Sequence, residues 1–404
     1  MSPHAHAAHL DTGPISGPLL TRETMAIGVV AAIGLLAIFY RFLFGLGAVT
    51  ALNDGYPWGL WIAFDVVIGT ALACGGYAMA LLVYIANHGE YHPLVRPALV
   101  TSAFGYTIAG ASVVLDVGRY WALWRVPLYF WHWNVNSVLL EVALCIMAYV
   151  LVAWLELSPA FLERGLTASS PRVRRFSAWA QPLLNRALLW IIALGLLLPT
   201  MHQSSLGSLM LLSGPRLHPL WNTPLLPLLF LVSCIGMGYG AVVMEGAISS
   251  LWLNREPERE MLAGIGRTVV PVLVFYVLLR VFDLVWRGQL DALFALDHYS
   301  VMALMELALF VAAPLMLLST RQRRDMGNLF RAAMVLLLAG SLYRIDTFLV
   351  AFNPGPHWAY FPSLGEIAIT SGLVAIEILG YIGMVRFFPI LTAQRPPRPS
   401  LTAA

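Results

Sequence analysis

The chain has 404 residues, 59% of them hydrophobic and 11% charged, with a formal net charge of +3 and a mean hydropathy of +0.76. These values exclude an ordinary soluble domain and indicate an integral membrane protein. The 24 basic residues are all arginines, spread as a topological signal rather than gathered into a nucleic-acid patch. Apolar stretches follow in chain order at 25–46, 57–86, 94–117, 134–156, 184–206, 222–249, 267–290, 299–319, 328–351 and 364–390. Most hold the roughly 20 residues that carry a helix across the bilayer core, and none alternates as a barrel strand would. The fold class is therefore all-α, a polytopic bundle of about ten transmembrane helices. Small residues such as Gly69, Ala73, Gly75 and Gly76 suit close helix packing.

The N-terminal tail, 1–24, carries His4, His6 and His9 among small residues, a composition read as incidental rather than as a metal site. No basic stretch with a cleavage site precedes the first span, so that span is expected to stay in the membrane. An integral domain covers 25–390, with a loop at 158–183, and a C-terminal tail at 391–404 reads as extended around Arg395 and Arg398. With both termini on one side, 17 arginines fall on that side and 7 on the other. The positive-inside rule then places both termini in the cytoplasm and the loops near 47–56, 118–133, 207–221, 291–298 and 352–363 outside.

Three carboxylates, Asp65, Glu141 and Glu306, sit about two helical turns inside separate spans. Intramembrane carboxylates usually face a bundle interior or a wet cavity, where they carry protons or meet a polar ligand. Glu141 lies seven residues beyond Asn134, roughly 10 Å below the outer end of its span. Asp65 has the same expected depth, and Glu245 lies near the cytoplasmic end of the sixth span. These three are the candidate proton carriers. Asp116, Arg119, Tyr120, His132, Asn134, Asn136, His202, Gln203, Ser204 and Ser205 cluster at the outer edges of neighbouring spans. They suggest a pocket for a lipophilic ligand with a polar head.

Structural alternatives stand beside each functional reading. Asp116 and Arg119, three apart, suit an ion pair at a helix end. His132 between Trp131 and Trp133 suits an interfacial aromatic belt, as do Tyr56 and Trp58. Asn134 or Ser137 suits a helix cap, and the run from His202 to Ser205 suits the satisfied end of a helix. Arg344 and Asp346, two apart, face different neighbours. Glu306 and Glu377 are left without an assigned role.

Cys74, Cys145 and Cys234 are isolated within spans, so an iron–sulfur cluster with cysteine ligands is unsupported and all three read as core residues. A transmembrane b haem usually takes two histidines at similar depth, and only His202 falls inside an expected span. No haem or cluster is expected in this chain. Any electrons it handles would come from a partner's cofactor.

A set of motifs runs in order from about residue 40 to 390. It begins with Gly55-Tyr-Pro-Trp-Gly-Leu-Trp-Ile-Ala-Phe-Asp65, Tyr91-His-Pro-Leu-Val-Arg-Pro97 and Asp116-Val-Gly-Arg-Tyr-Trp121. Asn134-Val-Asn-Ser-Val138 with Glu141, Pro199-Thr-Met-His-Gln-Ser-Ser205, His218-Pro-Leu-Trp221 and Met244-Glu-Gly246 follow. Val350-Ala-Phe-Asn-Pro-Gly355 and Tyr360-Phe-Pro362 close it. The set resembles the NrfD/polysulfide-reductase membrane-subunit family, in particular its hydrogenase-2 (HybB-type) branch. The resemblance implies two four-helix bundles plus flanking helices in a bacterial inner membrane. It implies a subunit, not an enzyme alone, that passes electrons from a periplasmic iron–sulfur subunit to menaquinone beside the small and large subunits of a nickel–iron hydrogenase. Protons drawn from the cytoplasm through Glu245 and Glu141 would make the cycle electrogenic. Three alternatives are a quinone-reactive anchor of a polysulfide or nitrite respiratory enzyme, a proton or small-anion transporter, and a passive tether.

Overall fold

The computed structural model describes residues 13–392. His4, His6, His9, Arg395 and Arg398 lie outside the described residues. Among the described residues, ten helices are long and apolar enough to cross a membrane: α1 (Arg22–Phe44), α2 (Trp61–Ile85), α3 (Gly89–Asp116), α4 (Val138–Leu166), α5 (Pro171–Leu211), α6 (Leu226–Trp252), α7 (Arg259–Trp286), α8 (His298–Leu315), α9 (Met326–Val350) and α10 (Leu364–Phe387). An isolated antiparallel bridge joins Leu217 to Phe352.

Local chemistry sets the helix starts. Thr21 with Thr24, and Ser363 with Glu366, form capping boxes on α1 and α10, satisfying amides that a helix start leaves open. Ser137 caps α4 and Asp297 caps α8. The expected loop at 158–183 is instead mostly helix. The descending α4 continues to Leu166 and α5 begins at Pro171, leaving only a short turn. Pro171 occupies a first-turn position, where its missing N–H costs nothing. Pro159 and Pro182 lie inside helices, a position membrane helices tolerate when packing and local adjustment satisfy the freed carbonyls.

Helices α2–α5 pack as one four-helix bundle and α6–α9 as a second. The two meet through α2 and α5 on α6, and through α2 on α9. Outside them, α1 pairs with α10, and α10 rests on α2 and α3. Small residues bring the backbones together: a Cβ on Gly34 would lie 2.5 Å from the Gly372 Cα, and one on Gly238 would lie 2.5 Å from the Cys74 carbonyl oxygen. Side chains such as Leu36, Leu151, Leu189, Trp190 and Leu251 are exposed, as a lipid-facing surface requires. The even number of crossings brings both ends to one face. There Arg386 Nη1 donates to the Ile15 and Ser16 carbonyls at 3.2 and 2.6 Å. We call this the terminal face and the opposite one the loop face.

Candidate functional site

Helix α2 does not begin as a regular α-helix. Trp61–Ile68 forms a π-helical stretch, a geometry frequent at functional sites, and it carries Asp65. That carboxylate is 3% exposed. Its Oδ2 accepts from Ser112 of α3 at 3.2 Å and from Thr370 of α10 at 3.0 Å, while Oδ1 has no hydrogen-bond partner among the described residues.

Asp65 lines a cavity of about 670 Å³ bounded by α2, α3, α6, α10 and the segment leading into α1. Its walls are largely apolar, with Phe64, Leu72, Phe104, Ile108, Met244 and Ile378. Ile248 and Trp252 at the rim are 41% and 40% exposed, so the cavity opens toward lipid alongside α6. Pro18, Thr21, Glu23 and Arg386 surround its terminal-face end.

Besides Glu23 at its terminal-face end, two further carboxylates line the cavity. Glu377 follows Leu364 by 13 residues, roughly 20 Å along α10 from its loop-face end. A Cβ on Gly105 would lie 3.5 Å from its Oε1, which sets the carboxylate against the glycine face of α3. Glu245 precedes Trp252 by seven residues, about 10 Å from the terminal-face end of α6. It accepts from Tyr381 at 2.5 Å and Thr101 at 3.2 Å. Asp65, Glu377 and Glu245 thus stand at successive depths along one apolar-walled space. Such a chamber suits a long apolar molecule with a polar head, and its size lies within the range of ligand pockets.

The other expected site residues lie elsewhere, and apart from Asp65 and Glu245 none lines this cavity. Glu141 is not two turns deep. Helix α4 starts at Val138 rather than at Asn134, because Ser137 caps it, so Glu141 stands half-buried in the first turn. Arg119, His132, Asn134 and Asn136 are exposed on the loop face, and Tyr120 is half-buried edge-on against Phe42. The suggested Asp116–Arg119 ion pair does not form. Arg41, 2% exposed, takes the end of α3 by donating to the Leu115 and Val117 carbonyls at 2.9 Å. Asp116 lies one turn from Ser112, the residue that binds Asp65.

His202, Gln203 and Ser205 are buried inside the first bundle. Ser204 and Ser205 bond to carbonyls of their own helix, which fits the structural alternative. Gln203 bridges the two bundles: its amide donates to Thr70 of α2 at 3.0 Å, and its oxygen accepts from Arg344 of α9 at 3.3 Å. Arg344 is fully buried with no carboxylate partner among the described residues, and it donates to the Val67, Phe230 and Gly340 carbonyls at 3.1 to 3.3 Å. Both it and Asp346 adjoin π-helical stretches, at Trp61–Ile68 and Asp346–Val350. Carbonyls in such turns lose the regular α-helical pattern, and a forked cation can satisfy several at once.

A second ionisable group, unforeseen as a cluster, occupies the other bundle. Arg280 lies 3.8 Å from Glu306 and 3.7 Å from Asp283, and Arg287 pairs with Asp283 at 2.6 Å. Trp221 donates to Glu306 at 3.1 Å. Glu377 likewise gains a place that sequence reasoning does not assign it, although a carboxylate 13 residues into the last span is the signal for it. At the loop face, burial and the adjoining Glu366 hold the Tyr360 phenol well above its usual range. It therefore stays a neutral donor to Glu366 at 2.6 Å.

Comparison with known proteins agrees with the sequence resemblance. The polysulphide reductase, NrfD family matches residues 48–346. A relative from Escherichia coli K12, the probable Ni/Fe-hydrogenase 2 b-type cytochrome subunit, is 44% identical over 94% of this chain and 95% of its own length. A protein of Nitratidesulfovibrio vulgaris Hildenborough is 32% identical over 92% of this chain and 95% of its own length. The menaquinone reductase integral membrane subunit of the same organism is 26% identical over 89% of each chain. The word cytochrome in the first name invites a haem test. Among the described residues, His202 is the one histidine far from a span end, both its ring nitrogens are unpartnered, and Tyr106 packs edge-on against it at 5.5 Å. No second imidazole stands at its depth to complete an axial pair, so the described residues do not fit a bis-histidine b haem. With ten helices among the described residues long and apolar enough to cross a membrane, and a family match over most of its length, the chain is a multi-pass integral membrane protein that belongs to the NrfD polysulphide reductase family.

Proposed function

We propose that this chain is the quinone-reactive membrane subunit of a respiratory nickel–iron hydrogenase in a bacterial cytoplasmic membrane. The cavity at Asp65 carries the reading: it is apolar enough for an isoprenoid chain, open to lipid, and ends in a carboxylate with one free oxygen. The relatives' names support a hydrogenase as the source of electrons and menaquinone as their acceptor. The arginine bias supports a cytoplasmic terminal face and a periplasmic loop face. An iron–sulfur subunit then docks on the loop face, where Trp121, Trp124, Phe130 and Trp131 are exposed beside Arg119, His132, Asn134 and Asn136.

The quinone takes up two electrons from that partner and two protons to become the quinol. Asp65, at the end of the cavity nearest the loop face, donates to the reduced headgroup. Glu377 and Glu245 return protons to it from the terminal side. Glu141 exchanges protons at the loop-face end of α4, and Asp116 with Tyr120 leads from the loops toward Asp65. Of the other readings, the apolar chamber argues for a lipophilic ligand over a small-anion transporter. A structure of the purified complex with bound menaquinone should show the headgroup beside Asp65. Quinone seen only at the terminal face, or hydrogen oxidation that reduces no quinone, would defeat the proposal.

A further inference from the structure

A second opening lies on the opposite face of α3 from the cavity at Asp65. It is a pocket of about 130 Å³ lined in part by Tyr84 at the end of α2, His92 and Arg96 of α3, Glu156 of α4, and Leu188 and Ile192 of α5. Tyr84 and His92 are exposed at its rim, whereas Glu156 is 9% exposed. Glu156 follows Val138, the loop-face start of α4, by 18 residues, about 27 Å of helix. The hydrocarbon core of a bilayer is about 30 Å thick, so this carboxylate stands at the terminal-face edge of the core, where lipid headgroups begin. Ile192 precedes the loop-face end of α5, Leu211, by 19 residues and has the same depth. Both helices run on past that level to the turn between Leu166 and Pro171.

Helix α5 makes room for the Glu156 carboxylate with a glycine, since a Cβ on Gly195 would collide with it. No hydrogen bond or ion pair among the described residues reaches that carboxylate. The guanidinium in the pocket wall is engaged elsewhere: Arg96 pairs with Glu163 at 2.5 Å and donates to the Pro389 carbonyl at 3.0 Å. A buried carboxylate without a partner is costly, and the group that would satisfy it is a cation that donates hydrogen bonds. A primary ammonium is compact and carries three N–H donors. The trimethylammonium of choline has none and favours a cage of aromatic faces, whereas the pocket has only Tyr84 and His92 at its rim and an aliphatic interior. A serine headgroup would set a second carboxylate beside Glu156, which like charge disfavours. At the rim, the Tyr84 hydroxyl and the His92 imidazole can donate to a phosphodiester. Ile85 and Leu189 next to the pocket are exposed, apolar flanks for acyl chains.

We propose that this pocket binds the headgroup of an ethanolamine phospholipid from the terminal-face leaflet. The ammonium enters to Glu156, the phosphodiester stays at the rim against His92 and Tyr84, and the acyl chains leave along Ile85 and Leu189. The lipid then ties the end of α2 to α4 and α5 through one headgroup. Nothing in this site depends on the function proposed above.

Native mass spectrometry of the full-length protein, purified in detergent with its associated subunits, tests it. The probes are short-chain phosphatidylethanolamine, phosphatidylcholine with the same chains, and free ethanolamine. Wild type should bind the ethanolamine lipid about tenfold more tightly than the choline lipid, the difference expected from hydrogen bonds to a charged group. Glu156→Gln, nearly the same in size, should bind the two lipids alike. His92→Ala should weaken both and keep the preference between them. Wild type that does not distinguish the two lipids, or Glu156→Gln that still prefers ethanolamine, refutes the site. Free ethanolamine that displaces the lipid at equal concentration would mark a site for a soluble amine and overturn the lipid as its ligand. The comparison of lipids on wild type needs no variant, so it decides the matter even if Glu156→Gln fails to assemble.

Discussion

Replacing Asp65 with Asn separates the two things this carboxylate does. Oδ2 accepts two hydroxyl protons, from Ser112 at 3.2 Å and Thr370 at 3.0 Å, each worth about 0.5–1.5 kcal/mol net. The asparagine carbonyl can keep both bonds, and its amide takes the place of the unpartnered Oδ1, facing a cavity where water or a quinone oxygen can accept from it. The expected cost to stability is about 1 kcal/mol or less. A proton donor is lost altogether, however. If Asp65 protonates the reduced headgroup, hydrogen-dependent quinone reduction should fall about a hundredfold, equivalent to about 2.7 kcal/mol of barrier. The functional effect should therefore exceed the structural one severalfold. Rates measured with the detergent-purified complex and a menaquinone analogue, alongside thermal unfolding, report both. Asp65→Leu serves as the contrast, because it leaves both hydroxyls without their acceptor and should lower the unfolding temperature as well. An Asn variant that turns over like wild type would remove Asp65 from the chemistry and leave it a helix clamp.

Three other outcomes are expected. Glu141→Gln should leave the complex assembled and slow hydrogen-dependent quinone reduction, and wild-type turnover of the purified variant would exclude Glu141. In proteoliposomes, Glu245→Gln and Tyr381→Phe should each build less membrane potential than wild type while retaining quinone reduction in leaky membranes; unchanged potential and turnover in both would rule out this path. Glu306→Leu should destabilise the protein, because it leaves buried Arg280 with Asp283 at 3.7 Å, already paired to Arg287, as its remaining carboxylate neighbour, and adding Arg280→Met should recover part of that loss. A double-mutant cycle in denaturant unfolding that shows simple additivity would mean that the 3.8 Å pair is not energetically coupled.

The membrane-crossing pattern is legible in the sequence because hydropathy and length act locally along each helix. Where a helix ends depends on its neighbours. The segment 158–183 reads as a loop because Arg164, Arg172, Arg174 and Arg175 and three prolines interrupt the apolar run. Packing of α4 on α5 keeps it helical. Depth misleads in the same way, since Ser137 rather than Asn134 starts α4 and brings Glu141 nearer the surface. Asp65 and Glu245 stand out as isolated charges, yet their common cavity joins residues more than a hundred positions apart through α10, and nothing in the sequence alone ties Glu377 to them. The outer polar run from Asp116 to Asn136 is visible as chemistry, but sequence order carries no sign that Arg41, far upstream, holds the end of α3.

The π-helical stretch at Trp61–Ile68 also bears on how this protein can change over evolution. Such a stretch behaves as an α-helix that has accepted an extra residue. Losing one residue there would let the helix relax to regular geometry while the flanking turns keep their relative orientation, because the wide turn is what absorbs the extra residue. Gly75, Gly76 and Cys74, which fit closely against α3 and α6, would then keep their packing, while Asp65, inside the stretch, would swing away from Ser112 and Thr370. A single codon deletion in this stretch, otherwise silent in hydropathy, would thus be judged at the carboxylate, whereas a compensating insertion within Trp61–Ile68 would restore it. Length, more than residue type, is the inherited property under constraint in this segment.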